Sequence, residues 1–151
     1  MKLLCDSNLF LALTLDKHPH YSDAVAWLES LPHGAIAFFC RATQQSYLRL
    51  LTVEPMLKAE VRSNEEALAA LAKLRTDSRI GFVLNEPEGL EPQWFALARC
   101  ASPAPKRWMD AYLAAFAVSA GMRFVTFDRG FEQFSQYGLD LVLLGAKKSE
   151  V

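Results

Sequence analysis

The sequence has no apolar run approaching the roughly 18–20 residues that cross a bilayer, and its longest candidate, Leu113 to Val118, is far too short. It has no CxxC pair. Cys5, Cys40 and Cys100 are odd in number and far apart, which excludes a cysteine zinc or redox centre and predicts buried, reduced thiols. It also lacks an excess of positive charge. With 16 Lys+Arg against 17 Asp+Glu the formal net charge is −1, so any polyanion would have to be held by local patches. Neither a P-loop, a GxSxG elbow nor a GxGxxG fingerprint is present, and there is no internal repeat or low-complexity stretch. Asp6 breaks the apolar start almost at once, which predicts no signal peptide, no membrane association and a cytoplasmic location.

What is present is a rich core supply. The 151 residues are 52% hydrophobic, enough for one domain spanning 1–151. Lys17-His18-Pro19, Pro32-His33-Gly34, Glu86-Pro87-Glu88-Gly89 and Ser102-Pro103-Ala104-Pro105 punctuate the chain as loops. Between them lie short continuous apolar runs: Leu3 to Cys5, Ile36 to Phe39, Ile80 to Leu84, Phe124 to Phe127 and Leu141 to Leu144. Strands buried on both faces of a parallel sheet have this character. The stretches 22–31, 43–53, 64–75, 91–100 and 108–120 read as helices, the third with Asn64 as N-cap and a stripe of Ala67, Leu68, Leu71 and Leu74. Gly121 reads as a helix C-cap. Alternating strands and helices predict an α/β fold, an α/β/α sandwich around a mostly parallel sheet of about five short strands.

Ligands of such sheets bind beyond the carboxyl ends of the strands. Two runs lead straight into aspartate there: Leu3-Leu4-Cys5 into Asp6, and Phe124 to Phe127 into Asp128. A third, Asp110, opens a segment that is apolar all round and shares a helical stripe with Leu113, Ala114 and Ala117. Each aspartate alone has two readings, helix N-cap or functional acid. An unpaired buried carboxylate costs several kcal/mol. If the three converge, they repel, and the group should take up a proton or a cation. Hard oxygen ligands with room for water suit Mg²⁺ or Mn²⁺, whose obvious use is phosphodiester hydrolysis.

Leu-Leu-Cys-Asp6-Ser-Asn8, Thr43-Gln-Gln-Ser-Tyr-Leu-Arg49, Asp110-Ala-Tyr-Leu-Ala and Val125-Thr126-Phe127-Asp128, in this order, resemble the PIN-domain proteins, and more narrowly the VapC-type toxin ribonucleases of toxin–antitoxin pairs. The resemblance covers essentially the whole chain. It implies a Mg²⁺- or Mn²⁺-dependent endoribonuclease that leaves a 5′-phosphate and a 3′-hydroxyl, is inhibited by a small antitoxin and forms a homodimer. It implies that Asp6, Asp110 and Asp128 bind metal and do the catalysis, that Asn8 hydrogen-bonds around them, and that Thr126 supports the first acid. The antitoxin would bring an amphipathic segment to a groove walled by 22–31 and 43–53.

One position departs from the family. Where it usually carries a Glu in the helix after the second strand, this chain has Gln44, whose neighbours Tyr47, Leu48 and Leu51 predict an inward-facing side chain. Gln lends a carbonyl oxygen but no charge, so weaker metal binding is expected. The same departure leaves a second reading open, a catalytically weak PIN fold that binds RNA or antitoxin. A haloacid-dehalogenase-type phosphatase ranks well behind, since it wants a second acid where Asn8 stands. Arg49, Lys106, Arg107 and Arg129, with Arg41, are candidate RNA phosphate contacts, against a default of solvated surface charge. Trp94, Trp108 and Phe131 suit either base stacking or core packing. His18-Pro19-His20 has ligand-type residues, but turn and cap chemistry is the plainer reading.

Overall fold

The computed structural model describes residues 1–53 and 61–145. In chain order the elements are β1 (Lys2–Cys5), α1 (Ser7–Thr14), α2 (Tyr21–Glu29), β2 (Ile36–Phe39), α3 (Arg41–Leu51), α4 (Asn64–Leu74), β3 (Ile80–Phe82), α5 (Leu90–Ala98), α6 (Arg107–Ala120), β4 (Arg123–Thr126), a 3₁₀ helix (Arg129–Tyr137) and β5 (Leu141–Leu143). The sheet runs in the order β3-β2-β1-β4-β5, and every pair is parallel. Strand residues alternate between two cores. Leu3, Cys5, Ala37, Phe39 and Val125 face α1 to α4. Leu4 and Phe124 face α5, α6 and the 3₁₀ helix. Burial on both faces explains the unbroken apolar runs, and the result is the expected three-layer sandwich.

The connections matter more than the count of elements. The chain moves outward from β1 through β2 to β3, then returns to lay β4 on the other side of β1. The carboxyl ends of β1 and β4 therefore flank a topological switch point, where open α/β sheets form their crevice. Several local expectations need correction. Ser63, not Asn64, caps α4: its hydroxyl accepts from the Glu66 amide while the Glu66 carboxylate accepts from the Ser63 amide. Leu68 is 59% exposed, so the buried stripe of α4 is Ala67 and Leu71 alone. The third strand stops at Phe82, two residues early. Cys5 and Cys40 are buried as expected, but Cys100 is exposed. Gly121 does close α6, with a φ of 66° that a side chain would disfavour. Among the described residues no helix is long and apolar enough to cross a membrane.

Candidate active site

Asp6 follows β1 directly and caps α1. Its backbone N–H donates to the Val125 carbonyl of β4 at 2.9 Å, which fixes the residue between the two strands. The side chain is 9% exposed. One carboxylate oxygen accepts from the Ser7 amide at 2.8 Å, and the other accepts from the Thr126 hydroxyl at 2.7 Å. The capping reading accounts for one oxygen; the other is tied to β4 through Thr126.

Thr126, the last residue of β4, is fully buried and its hydroxyl is saturated. Besides donating to Asp6, Oγ1 accepts from Asn8 Nδ2 at 3.2 Å and from the Asp128 amide at 3.0 Å. One hydroxyl therefore sets the first acid, the Asn on the first turn of α1 and the backbone of the third acid. Asp128 is half-buried and caps the 3₁₀ helix, accepting from the Gly130 amide at 2.8 Å. Its other oxygen lies 3.6 Å from Lys106 Nζ. Asp110, in the first turn of α6, is also half-buried.

The electrostatics tie the three together. Burial pushes the Asp6 carboxyl from 3.8 up to about 6; the bonds from Thr126 and Ser7 pull it down, and the charges of Asp110 and Asp128 push it up again. Burial likewise raises Asp110, with Lys106 opposing and Asp128 adding to the rise. Residues more than a hundred positions apart in sequence thus share one field, the condition under which carboxylates seek a cation.

Among the described residues, no three His, Cys, Asp or Glu side chains stand close enough to enclose a metal by themselves. Mg²⁺ and Mn²⁺ do not require enclosure, since such ions keep several waters and take only a few carboxylates. Asn8 Oδ1 points the same way: it is buried, and no donor reaches it among the described residues. Three mutually repelling carboxylates and an orphaned amide oxygen are a hard-oxygen donor set with a deficit of positive charge. The residues fit a water-bearing divalent cation.

The remaining predicted residues divide. Gln44 is buried, as expected, and its Oε1 accepts from Arg41 Nη1. Lys106 stands beside Asp128, at the site. Arg107 is engaged elsewhere: it donates to the Leu97 carbonyl and to Gln133, and lies 5.2 Å over the Phe134 ring. Arg129 pairs with Glu132 at 3.6 Å. Arg49 lines a groove between α3 and α4. Phe131 is buried in the core, Trp94 donates its indole N–H to the Trp108 carbonyl, and Trp108 is exposed. His20 stacks on Phe127, with ring centroids 4.3 Å apart, and His18 Nδ1 accepts from the His20 amide, which is turn chemistry. The sequence reading missed Ser7 and Ser46, whose hydroxyls meet at 3.0 Å and tie α3 to the Asp6 corner. A contact between residues 39 positions apart leaves no spacing signal.

Comparison with known proteins places the fold and the family. The PIN domain profile matches residues 3–136. Ribonuclease VapC41 of Mycobacterium tuberculosis is 50% identical over 145 residues, covering 94% of this chain and 98% of that protein. Among solved structures, VapBC2 from Rickettsia felis bound to a promoter DNA fragment superposes with a TM-score of 0.67 at 14% identity, covering 95% of this chain and 99% of the other. The Mycobacterium tuberculosis VapC20 toxin, described as cleaving the sarcin–ricin loop, gives 0.62 at 18% identity, with coverage of 91% and 95%. These two share the fold; the 50% identity along nearly the full length of a ribonuclease goes further. The chain belongs to the PIN-domain family and, within it, to the VapC ribonucleases.

Proposed function

We propose that this protein is the toxin of a type II toxin–antitoxin pair, an endoribonuclease that hydrolyses RNA phosphodiester bonds at the site formed by Asp6, Asp110 and Asp128 with a divalent cation, Mg²⁺ or Mn²⁺. The observation that carries the reading is the buried Asp6 carboxylate at the switch point, raised to about 6 and facing the charges of two further aspartates. Asp6, Asp110 and Asp128 would hold the cation, and Asn8 Oδ1, buried and without a donor among the described residues, would accept from one of its waters. When bound, the cation polarises a phosphoryl oxygen and lowers the pKa of water.

The protein's own part is positioning. Thr126 holds one Asp6 oxygen and, by accepting from the Asp128 amide, fixes the backbone of the third acid. The Lys106 ammonium beside Asp128 supplies positive charge at the rim, where an RNA phosphate would approach. A cognate small antitoxin is part of the proposal. Of the two expected walls, 43–53 does line a groove as α3, but its partner wall is α4 and not 22–31: about 310 Å³, lined by Leu48, Arg49, Thr52, Asn64, Ala67 and Leu68, it would take a few anchoring side chains of an amphipathic segment. Homodimer formation and a cytoplasmic location belong to the same reading.

The test is cleavage of a labelled structured RNA pool with Mg²⁺ or Mn²⁺, beside EDTA and Asp110→Asn controls. The expected result is metal-dependent cutting that falls by at least about a hundredfold in the variant, as losses of one charge-stabilising group at an active site do. Cutting that persists in the variant, or no cutting by a folded wild-type protein under either metal, overturns it.

A further inference from the structure

Beyond the acids, the same end of the sheet carries a cation that has no acidic partner among the described residues. The β1–β2 register sets Leu4 beside Phe38, which brings Asp6 level with Cys40, so Arg41 begins α3 one residue beyond the acid on the adjacent strand. Adjacent strands lie about 4.8 Å apart, so the start of α3 stands one strand from the acid, on the side of β1 away from β4. Arg41 is exposed, yet its guanidinium is held twice: Nη1 donates to Gln44 Oε1, and Cζ lies 4.6 Å from the centroid of the Phe82 ring at the end of β3. Arg75 stands over the same ring at 5.8 Å. Among the described residues neither arginine is paired with a carboxylate. Two guanidinium ions gathered on one aromatic ring repel each other, and an anion would offset that repulsion.

Gln44 decides what Arg41 is available for. A Glu at this position would accept from the same guanidinium through a charged, bidentate pair and neutralise it. The amide oxygen of Gln orients the fork while leaving its full positive charge facing outward. We infer that Arg41, oriented by Gln44 and the Phe82 ring, binds a backbone phosphate of the RNA substrate next to the acidic site, so that the Gln44 departure exchanges a metal-side negative charge for a substrate-side positive one. This inference rests on the ribonuclease reading. Arg41 is the contacting group, Gln44 and Phe82 position it, and Arg75 reinforces the local field.

The test uses the full-length protein. Binding of a fluorescein-labelled, mixed-sequence RNA oligonucleotide to the Asp110→Asn protein is followed by anisotropy across a salt series. Arg41→Ala, Arg41→Lys, Gln44→Glu and the Arg41→Ala/Gln44→Glu pair are each introduced into that background. Loss of one phosphate contact is expected to weaken binding about tenfold for Arg41→Ala and to lower the salt slope by about one. Arg41→Lys should recover part of the affinity and all of the slope. Gln44→Glu should weaken binding only while Arg41 is present, so that the double variant binds like Arg41→Ala alone. Unchanged affinity and slope in Arg41→Ala, or a Gln44→Glu effect that is the same without Arg41, overturns the inference while leaving a cleaving wild-type enzyme intact. A wild-type protein that neither cleaves nor binds RNA removes the ribonuclease reading and this inference with it.

Discussion

The two halves of one sheet edge end in opposite charges. On the β1–β4 side, Asp6, Asp110 and Asp128 share one field, with the Lys106 ammonium beside Asp128 as its positive partner. On the β2–β3 side, Arg41 and Arg75 gather on Phe82, and among the described residues neither pairs with a carboxylate. The sides also differ in how they are held. The acidic half is built on a fully buried hydroxyl, Thr126, with every hydrogen-bonding capacity used. The basic half is exposed and rests on one amide oxygen and one ring face. The difference teaches a division of labour. A metal site of the kind proposed must be rigid to within fractions of an ångström, which the cross-linking of Asp6 through Thr126 would serve. A contact to a flexible polyanion needs charge at the right place more than fixed geometry, so it can stand at the surface.

The comparison can be broken from the acidic side first. Thr126→Val keeps the shape of the hub and removes its hydroxyl, leaving Asn8 Nδ2 and the Asp128 amide without their acceptor. Loss of a supporting partner of this kind costs roughly 10–100-fold in metal affinity. The expected outcome is a drop of that size in Mn²⁺ affinity by calorimetry, with the fold retained by circular dichroism. Unchanged affinity would mean that the hub does not orient the acids.

A smaller effect sharpens the boundary between the halves. If Gln44 belongs to the proposed metal site, Gln44→Glu adds a negative charge there and should tighten divalent-metal binding, but Arg41 stands ready to pair with the new carboxylate. Calorimetry should therefore show a gain of only a few-fold in the single variant and a larger one in Arg41→Ala/Gln44→Glu, in keeping with the modest worth of an added charge next to a paired cation. Equal gains in both would separate Gln44 from Arg41 and return the two halves to independence.

Much of the acidic half was legible in the sequence because each acid announces itself locally. Asp6 and Asp128 end apolar strand runs, and Asp110 heads an apolar helix, so strand order and the switch-point rule suffice to bring them to one edge. The hub was legible only by resemblance: the bonds from Asn8 and Thr126 span 118 and 120 positions, and no periodicity encodes them. The inward turn of Gln44 followed from helical spacing, whereas its bond to Arg41 and the stacking on Phe82 depend on β3 lying beside β2, which is tertiary information. The partners of Arg107 were illegible for a related reason. Its nearness to Asp110 in sequence said nothing of the Leu97 carbonyl and the Phe134 ring that occupy it. Leu68 failed because helical periodicity predicts which residues share a face and not how far the neighbouring helix reaches to cover it.

The central claim is that Asp6 is held as a costly buried carboxylate for the sake of a cation, and thermal unfolding with and without Mn²⁺ tests it most directly. A carboxyl whose pKa rises on folding binds more protons in the native state, so stability falls as pH climbs from 3.8 to about 6 and stays lower above that. The cost at neutral pH is on the order of 3 kcal/mol. Asn caps a helix as well as Asp does, so Asp6→Asn removes the charge without losing the cap. In EDTA at pH 7.5 the variant should melt roughly 5–10 °C above the wild type, with the difference vanishing near pH 4. Mn²⁺ should raise the wild-type midpoint and leave the variant unmoved. A variant that melts no higher than the wild type in EDTA, with Mn²⁺ shifting both proteins equally, would contradict the account.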